Sequence, residues 1–327
     1  MGDSLKLSVC IPVYNVAPYV EQCARSLFAQ TYADIEYIFV DDCSPDDSMA
    51  IIRRVLEEFP QRAAQVRFLR HETNQGLVAA RRTAIAAASG ELITFCDSDD
   101  WPDVDLYGKM IARLEERNAD AVICSSRRYL RDRQVLGNVP DGLELGGEDA
   151  LARMDEIPAL NAMMTKVLRR GLCDLSKIEY PEDFCIAEDY CFMVQVLARC
   201  RKLVSVRDAY YNYRVNVNSM TRSGNVRRLV AHHEKVYDIL TRNVPGACSV
   251  SARRNLARQI LFWGVVGGVF GSADYQKWRA EYMSLEGCWD WLDKSLWGQR
   301  IMKVANRSFA ASRLMAVLVG GRVRDYL

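Results

Sequence analysis

Residues 91–103 read ELITFCDSDDWPD, and the stretch FCDSDD at 95–100 decides how the rest is read. An apolar run with strand character ends in three carboxylates within four positions. Like charges this close disfavour one another's ionisation. The cluster asks for a cation among its carboxylates, or else for a solvated turn or a helix N-cap, with Asp100 or Asp103 capping a helix over 103–118. Asp97 and Asp99 leave the strand two residues apart. As oxygen donors they suit a hard divalent cation, Mg²⁺ or Mn²⁺. Such an ion usually keeps waters and takes its other ligands from substrate phosphates.

Working outward, the same arrangement recurs. KLSVCI (6–11) reads as a buried strand, followed by a helix that Pro18 opens and that carries Val20, Ala24, Leu27 and Phe28 at helical spacing. IEYIFV (35–40) is a second strand and ends at Asp41-Asp42. SPDD (44–47) has the form of a capping box with Pro45 at the first helical position, ahead of Ile51, Ile52, Val55, Leu56 and Phe59. VRFLR (66–70) is a third strand. Asn74 is expected to cap the next helix and Gly90 to end it. ELITFC (91–96) and DAVICSS (120–126) supply two more strands. The alternation predicts an α/β fold with a mostly parallel sheet covered on both faces. Ligands of such sheets bind outside the carboxyl ends of the strands. Tyr14-Asn15, Asp41-Asp42 and residues 97–100 all fall there. Past 126 the pattern weakens to a loop or hairpin. A helix over 187–200, an alternating strand over 202–214 and a helical region from 225 follow, the last broken at Pro245-Gly246 and Gly267-Gly268.

Composition narrows the function. The chain has 327 residues, 50% hydrophobic and 26% charged, enough for a core without staples. A formal charge of +1 hides an asymmetry: residues 225–327 carry 16 basic and 8 acidic side chains, and residues 1–224 carry 27 and 34. The basic third suits an anionic partner such as a membrane surface, or is a solvated face. The acidic remainder disfavours nucleic acid. Eleven cysteines include no C-x-x-C pair, and Cys10, Cys96, Cys124 and Cys191 lie in apolar patterns, as in a reducing compartment. MGDSLKLSVCIPVYN lacks a signal-peptide layout, and QILFWGVVGGVF (259–270) is too short to span a bilayer, so a cytoplasmic location is expected. Only His71, His232 and His233 are present, which disfavours a Ser–His or Cys–His nucleophile and leaves a carboxylate as the available general base. Glu188-Asp189 opens a helix and can serve, or can simply complement the helix dipole. Neither a G-x-G-x-x-G nor a G-x-x-x-x-G-K-[ST] motif occurs, so a nucleotide here needs a metal and side chains instead of a glycine cradle.

Together these segments resemble the family 2 glycosyltransferases of the GT-A fold, of the bacterial surface-polysaccharide type. The resemblance rests on SVCIPVYNVAPYVEQCARSLFAQTY, IFVDDCSPDDS, NQGLVAARRTAIAAASGELITFCDSDD and AEDYCF in that order, with a weaker YYNYRVNVNSMT, and covers about residues 5–222. It implies a GT-A domain over 1–222, with 1–126 the nucleotide-sugar half and 127–222 the acceptor half, and a helical C-terminal region over 223–327. It implies that Pro12, Tyr14 and Asn15 line the nucleobase pocket. Asp42 would accept a hydrogen bond from the base, commonly uracil, and Arg81 would approach the base or the phosphates. Asp97 would lie near the ribose and the metal, and Asp99 would be the main ligand of Mn²⁺ or Mg²⁺. Asp189 would be the catalytic base, and Arg214 and Ser219 would lie over the diphosphate. The implied activity moves a sugar, with inversion, from a UDP-sugar to a hydroxyl of a glycan or lipid-linked acceptor. Three positions depart from the family: Arg82 and Ala84 stand where it often has Asn and Gly, and Asn216 where it often has His. Asn is the weaker phosphate partner. Two rivals remain: a non-catalytic binding or assembly subunit, which Asp97, Asp99 and Asp189 argue against, and a sugar nucleotidyltransferase. The latter would want a glycine-rich basic loop where the chain has IPVYNVAPY.

In RIMKVANRSFAASRLMAVLVGGRVRDYL, Arg300, Lys303 and Arg307 share one helical face, opposite Ile301, Ala305 and Phe309. A helix of that kind can lie on anionic lipid at the inner face of the membrane. It can equally pack on the catalytic domain or pair two copies as a homodimer.

Overall fold

The computed structural model describes residues 4–130, 133–154, 156–181, 187–215, 226–244 and 248–282, with 304, 308–311 and 313–314 near the C terminus. Ser219 and Asn216 lie outside the described residues, as do Arg300, Ile301, Lys303, Ala305 and Arg307. The chain divides into two compact units, residues 1–150 with 157–216, and 151–156 with 217–327.

In the first unit, all seven residues of β1 (Leu7–Val13) are buried, as expected of a strand covered on both faces. The chain continues through α1 (Ala17–Phe28), β2 (Ile35–Asp41), α2 (Ser48–Glu57), β3 (Val66–Arg70), α3 (Leu77–Ala87) and β4 (Leu92–Phe95). Then come β5 (Trp101–Pro102), α4 (Leu106–Glu116), β6 (Ala121–Tyr129), β7 (Gln134–Gly137), β8 (Glu144–Leu145), α5 (Gly147–Ala152), β9 (Lys166–Arg169), α6 (Glu188–Leu197) and β10 (Leu203–Arg214). The strands form one sheet in the order β3-β2-β1-β4-β9-β6-β10-β5, with β7 paired to β6 and β8 to β10 off that path. β1 pairs in parallel with β2 and β4, β2 with β3, and β6 with β10, while β9 runs antiparallel between β4 and β6. The order reverses at β1, so the carboxyl ends of β1 and β4 flank the switch point where ligands bind such sheets.

The period of two in β1 aims Leu7, Val9, Ile11 and Val13 at one face. There they share a core with Val20, Ala24, Leu27 and Phe28 of α1, Ile52 and Val55 of α2, and Met110 and Leu114 of α4. Each such side chain removed from water contributes about 1.5–3 kcal/mol. Val78, Ala79, Ala80 and Ala84 of α3 are also buried.

The expected elements form, but three helix starts differ from the sequence reading. α2 begins at Ser48 and has no side-chain cap. Asp46 instead accepts the backbone N–H groups of Ser48 and Ala17 and the hydroxyls of Ser44 and Ser48, tying the start of α1 to that of α2. α3 follows Gly76, at φ 93°, rather than being capped by Asn74. α4 starts at Leu106, because Trp101–Pro102 is drawn into antiparallel pairing with Tyr211 and Asn212. Asp100 and Asp103 bind that strand and its neighbour instead of capping a helix.

Gly90 shows why no other residue fits before β4. A Cβ there would fall on the Lys6 carbonyl oxygen and within 2.8 Å of Ser8 Oγ. Gly90→Ala is expected to lower unfolding stability by about 2–3 kcal/mol. Chemical denaturation measures it, and a loss below about 0.5 kcal/mol would show that the β1–β4 edge gives way at no cost.

The second unit contains α7 (Val226–Asn243), α8 (Cys248–Val266) and α9 (Ser272–Tyr282). Trp278 Nε1 donates to the Ala257 carbonyl at 2.9 Å, and the Tyr237 and Tyr282 rings meet edge to face at 4.8 Å. Among the described residues no helix is long and apolar enough to cross a membrane. Cys10, Cys23, Cys43, Cys96, Cys124, Cys173, Cys191 and Cys200 are free thiols, and Cys10, Cys96, Cys124 and Cys191 are buried as small hydrophobes.

Candidate active site

The carboxyl ends of β1 and β4 lie side by side. Pro12 is buried opposite Val40, and Tyr14, just past β1, is 46% exposed. Asn15 takes the left-handed conformation at φ 54°, and its backbone N–H donates to Ser44 Oγ at 2.9 Å. Beyond β4, the N–H of Cys96 reaches the Cys10 carbonyl and the chain turns through Asp97-Ser98-Asp99-Asp100.

β10 braces that turn. The Tyr211 hydroxyl accepts the Asp97 N–H at 3.1 Å and donates to Asp100 Oδ2 at 2.9 Å, and the Arg214 N–H donates to Asp100 Oδ1 at 2.7 Å. Arg214 Nε donates to the Asp99 carbonyl at 3.0 Å. Its guanidinium also bonds Gln22 Oε1 at 2.5 Å and lies over the rings of Trp101 and Tyr19. The bracing roles of Asp100, Tyr211 and Gln22 were not apparent in the sequence. Strand alternation in 202–214 could place Tyr211 inward but could not name its partner.

Arg81, on α3, is 1% exposed, so it lies beneath the strand ends instead of projecting toward solvent. It binds Asp97 Oδ1 at 3.0 Å, Asp189 Oδ1 at 2.5 Å and Glu188 Oε1 at 3.5 Å. One guanidinium thus joins the Asp97 turn to the first turn of α6. Burial raises the Asp189 carboxyl above the ordinary aspartate value, with Arg81 opposing and Asp97 adding to the rise. Glu188 is pushed up to about 7 by burial and by the Asp189 charge, again against Arg81. A half-buried carboxylate with a raised pKa is a stronger base than a solvated one. Arg82 donates to the Tyr180 carbonyl at 3.1 Å, and Ala84 is buried, so both departures from the family pattern sit in packing positions.

Asp42 is also buried, and both its oxygens are engaged. It accepts from His71 Nδ1 at 2.7 Å and from the N–H groups of Gln75 and Gly76 at 2.8 Å each. His71 in turn bonds Thr83 Oγ1 at 2.9 Å. Asp42 therefore shapes the loop that leads into α3, and His71 is a further member of this site.

Asp97, Asp99 and Asp100 differ in what they have left to offer. Asp97 is paired with Arg81, and both Asp100 oxygens are taken by β10. Asp99 makes no ion pair among the described residues, and burial and the Asp97 charge push it up to about 6. Arg214 opposes that rise only in part. A half-buried carboxylate with no ion-pair partner is what a hard divalent cation relieves, so the donor set fits Mg²⁺ or Mn²⁺. Among the described residues no group of three or more His, Cys, Asp or Glu side chains could enclose a metal. The protein would supply one or two oxygens and leave the rest to phosphates and water, the usual Mg²⁺ pattern.

This sheet, with its acidic strand ends and no glycine cradle, has the arrangement of the GT-A class of folds. Residues 8–173 match the Glycosyl transferase family 2 model, and the chain belongs to that family and is a glycosyltransferase. It is 30% identical over 238 residues to the uncharacterized glycosyltransferase EpsJ of Bacillus subtilis, covering 71% of this chain and 67% of that one. Over 215 residues it is 27% identical to the poly(ribitol-phosphate) beta-N-acetylglucosaminyltransferase TarS of Staphylococcus aureus, covering 64% of this chain and 35% of TarS. The crystal structure of S. aureus TarS 1–349 in complex with UDP-GlcNAc superposes with a TM-score of 0.70 at 19% identity, over 97% of this chain and 92% of that one. A mannosyltransferase of Pyrobaculum calidifontis in complex with GDP-Man and Mn²⁺ gives 0.54 at 17%, over 98% and 88%. The sheet and helices are those of the GT-A fold.

Proposed function

We propose that the chain transfers a sugar from a UDP-sugar to a hydroxyl of a glycan or lipid-linked acceptor by a single displacement that inverts the anomeric carbon. The observation that carries this reading is the Arg81 bridge, which puts the Asp189 carboxylate one guanidinium away from the Asp97 turn. Asp189 takes the proton of the acceptor hydroxyl as its oxygen attacks the anomeric carbon, opposite the departing diphosphate. Asp99, with Asp97 beside it, is the residue that would hold a divalent cation; when bound, that ion would neutralise charge on the leaving diphosphate. Pro12, Tyr14 and Asn15 form the nucleobase side, and the loop shaped by Asp42 closes it. Arg214 covers the diphosphate side, and Ser219, outside the described residues, is assigned the same role from its place in the sequence. Residues 1–222 form the catalytic domain, and the C-terminal region, with α7, α8 and α9, meets membrane or a second subunit. The UDP assignment draws support from the complex of TarS with UDP-GlcNAc.

Calorimetric titration with UDP, with and without Mn²⁺, tests the donor site. Binding is expected to require Mn²⁺ and to weaken more than about tenfold in Asp99→Ala. UDP that fails to bind with any divalent metal would sink the UDP assignment and direct the search to GDP. Turnover is then followed as UDP release from a panel of UDP-sugars, beginning with UDP-GlcNAc.

A further inference from the structure

We infer that Arg81 is a positioning residue for the transfer step, holding Asp189 against the Asp97 turn, and that it does not touch the donor. The inference rests on reading Asp189 as the base.

Three observations carry it. The Arg81 side chain is only 2% exposed, so its charged end lies behind the carboxylates, on the side away from solvent. Its two terminal nitrogens divide between partners: one serves Asp97, the other Asp189 and Glu188. Those partners come from separate parts of the chain, the end of β4 and the first turn of α6, 92 residues apart between Asp97 and Asp189. Ala187, the residue before that turn, is left-handed at φ 60° and gives no side-chain cap. The first turn of α6 therefore depends on contacts from elsewhere for its position. Arg81 supplies one, and the Met163 backbone N–H, which bonds Asp189, supplies another.

A planar fork is what this task requires. A guanidinium can hold two carboxylates at a fixed separation and angle, whereas an ammonium is a point charge on a flexible stem. Lysine at this position can pair with Asp97 or with Asp189 but cannot fix one against the other. A displacement of the base by about 1 Å is enough to cost about 100-fold in rate.

The test uses the full chain with Arg81→Lys, and Arg81→Gln as a second variant. UDP affinity with Mn²⁺ and UDP release from UDP-GlcNAc, or from the UDP-sugar the panel selects, are measured for both. The same substitutions are repeated in an Asp189→Asn background. The expected result is a fall in kcat of about 30–100-fold with UDP affinity within about threefold of wild type. In the Asp189→Asn background the same change is expected to alter the residual rate by less than about threefold, because residues that act as a unit are not additive. A parallel loss of UDP affinity would overturn the inference by placing Arg81 on the donor. Equal losses in both backgrounds, an unimpaired Lys variant, or failure of both variants to fold would overturn it too. If Asp189→Asn alone keeps near wild-type turnover, the base assignment fails first, and that result is distinct from the others.

Discussion

Asp189→Asn is expected to lower turnover of the donor sugar by about 1,000-fold while UDP affinity with Mn²⁺ stays within about threefold of wild type. The substitution keeps shape and polarity but removes the charge that accepts the proton. Asparagine can still accept a hydrogen bond from Arg81, so α6 stays docked through Arg81 and the Met163 N–H. A positioned general base contributes about 100- to 10,000-fold, which bounds the loss. The reading separates cleanly from a binding defect, because the nucleotide elements at the ends of β1 and β4 are untouched. A variant that retains more than about a tenth of wild-type turnover would show that the proton leaves by another route.

Glu36→Ala is expected to cost about 3 kcal/mol of stability with no direct effect on chemistry. Glu36 sits on β2 opposite Ser8, at the end of the sheet remote from the catalytic strand ends. Its carboxylate accepts the Ser8 hydroxyl at 2.5 Å, the Ser89 N–H at 2.6 Å, the Ser89 hydroxyl at 2.8 Å and the Gly90 N–H at 3.2 Å, and pairs with Lys6 at 3.1 Å. Removing it leaves buried donors unpaired, which costs about 1–3 kcal/mol per group less what water recovers. Burial alone would raise this carboxyl, but the hydrogen bonds from Ser8, Ser89 and Lys6 outweigh it and hold the pKa down at about 2 against an ordinary 4.5. The sign follows from linkage. A depressed folded-state pKa gives stability that is fully present above the unfolded value and is lost as pH falls through the folded value. Wild-type stability should therefore drop by about 2 kcal/mol between pH 4.5 and pH 2 from this group, allowing for solvent screening on its Lys6 side. Glu36→Ala should lack that component. Denaturant titrations across this range measure both, and equal pH slopes in the two proteins would refute the assignment.

Much of this fold was legible because its signals are local. LSVCIPV and IEYIFV are apolar at nearly every position, and helical spacing is clear in α1 and α2. Strand–helix alternation then forces a parallel sheet, and a parallel sheet forces the acidic residues after β2 and β4 to its carboxyl edge. The five family segments lie along the chain in order, so membership too could be read from the string of residues. Pattern could not separate carboxylates that look alike. Asp97, Asp99 and Asp100 stand within four positions, yet one pairs with Arg81, one makes no ion pair among the described residues, and one is spent on Tyr211 and Arg214. Those partners come from α3 and β10, 16 positions before Asp97 and more than a hundred after Asp100, and no local rule pairs them.

The helix starts carry the same lesson. SPDD and Asn74 have the residue types of caps, and a local rule assigns them so. In the folded chain Asp46 serves two helices at once, and Asp42 holds the N–H groups of Gln75 and Gly76 from a neighbouring strand end. By itself the sequence determined the α/β class, the acidic carboxyl edge of the sheet and the family. Only the tertiary structure decided which carboxylate meets which cation, and that Arg81 is buried between the Asp97 turn and the first turn of α6. Residue type and spacing report local periodicity, whereas the charge state of a buried group is set by its neighbours in space.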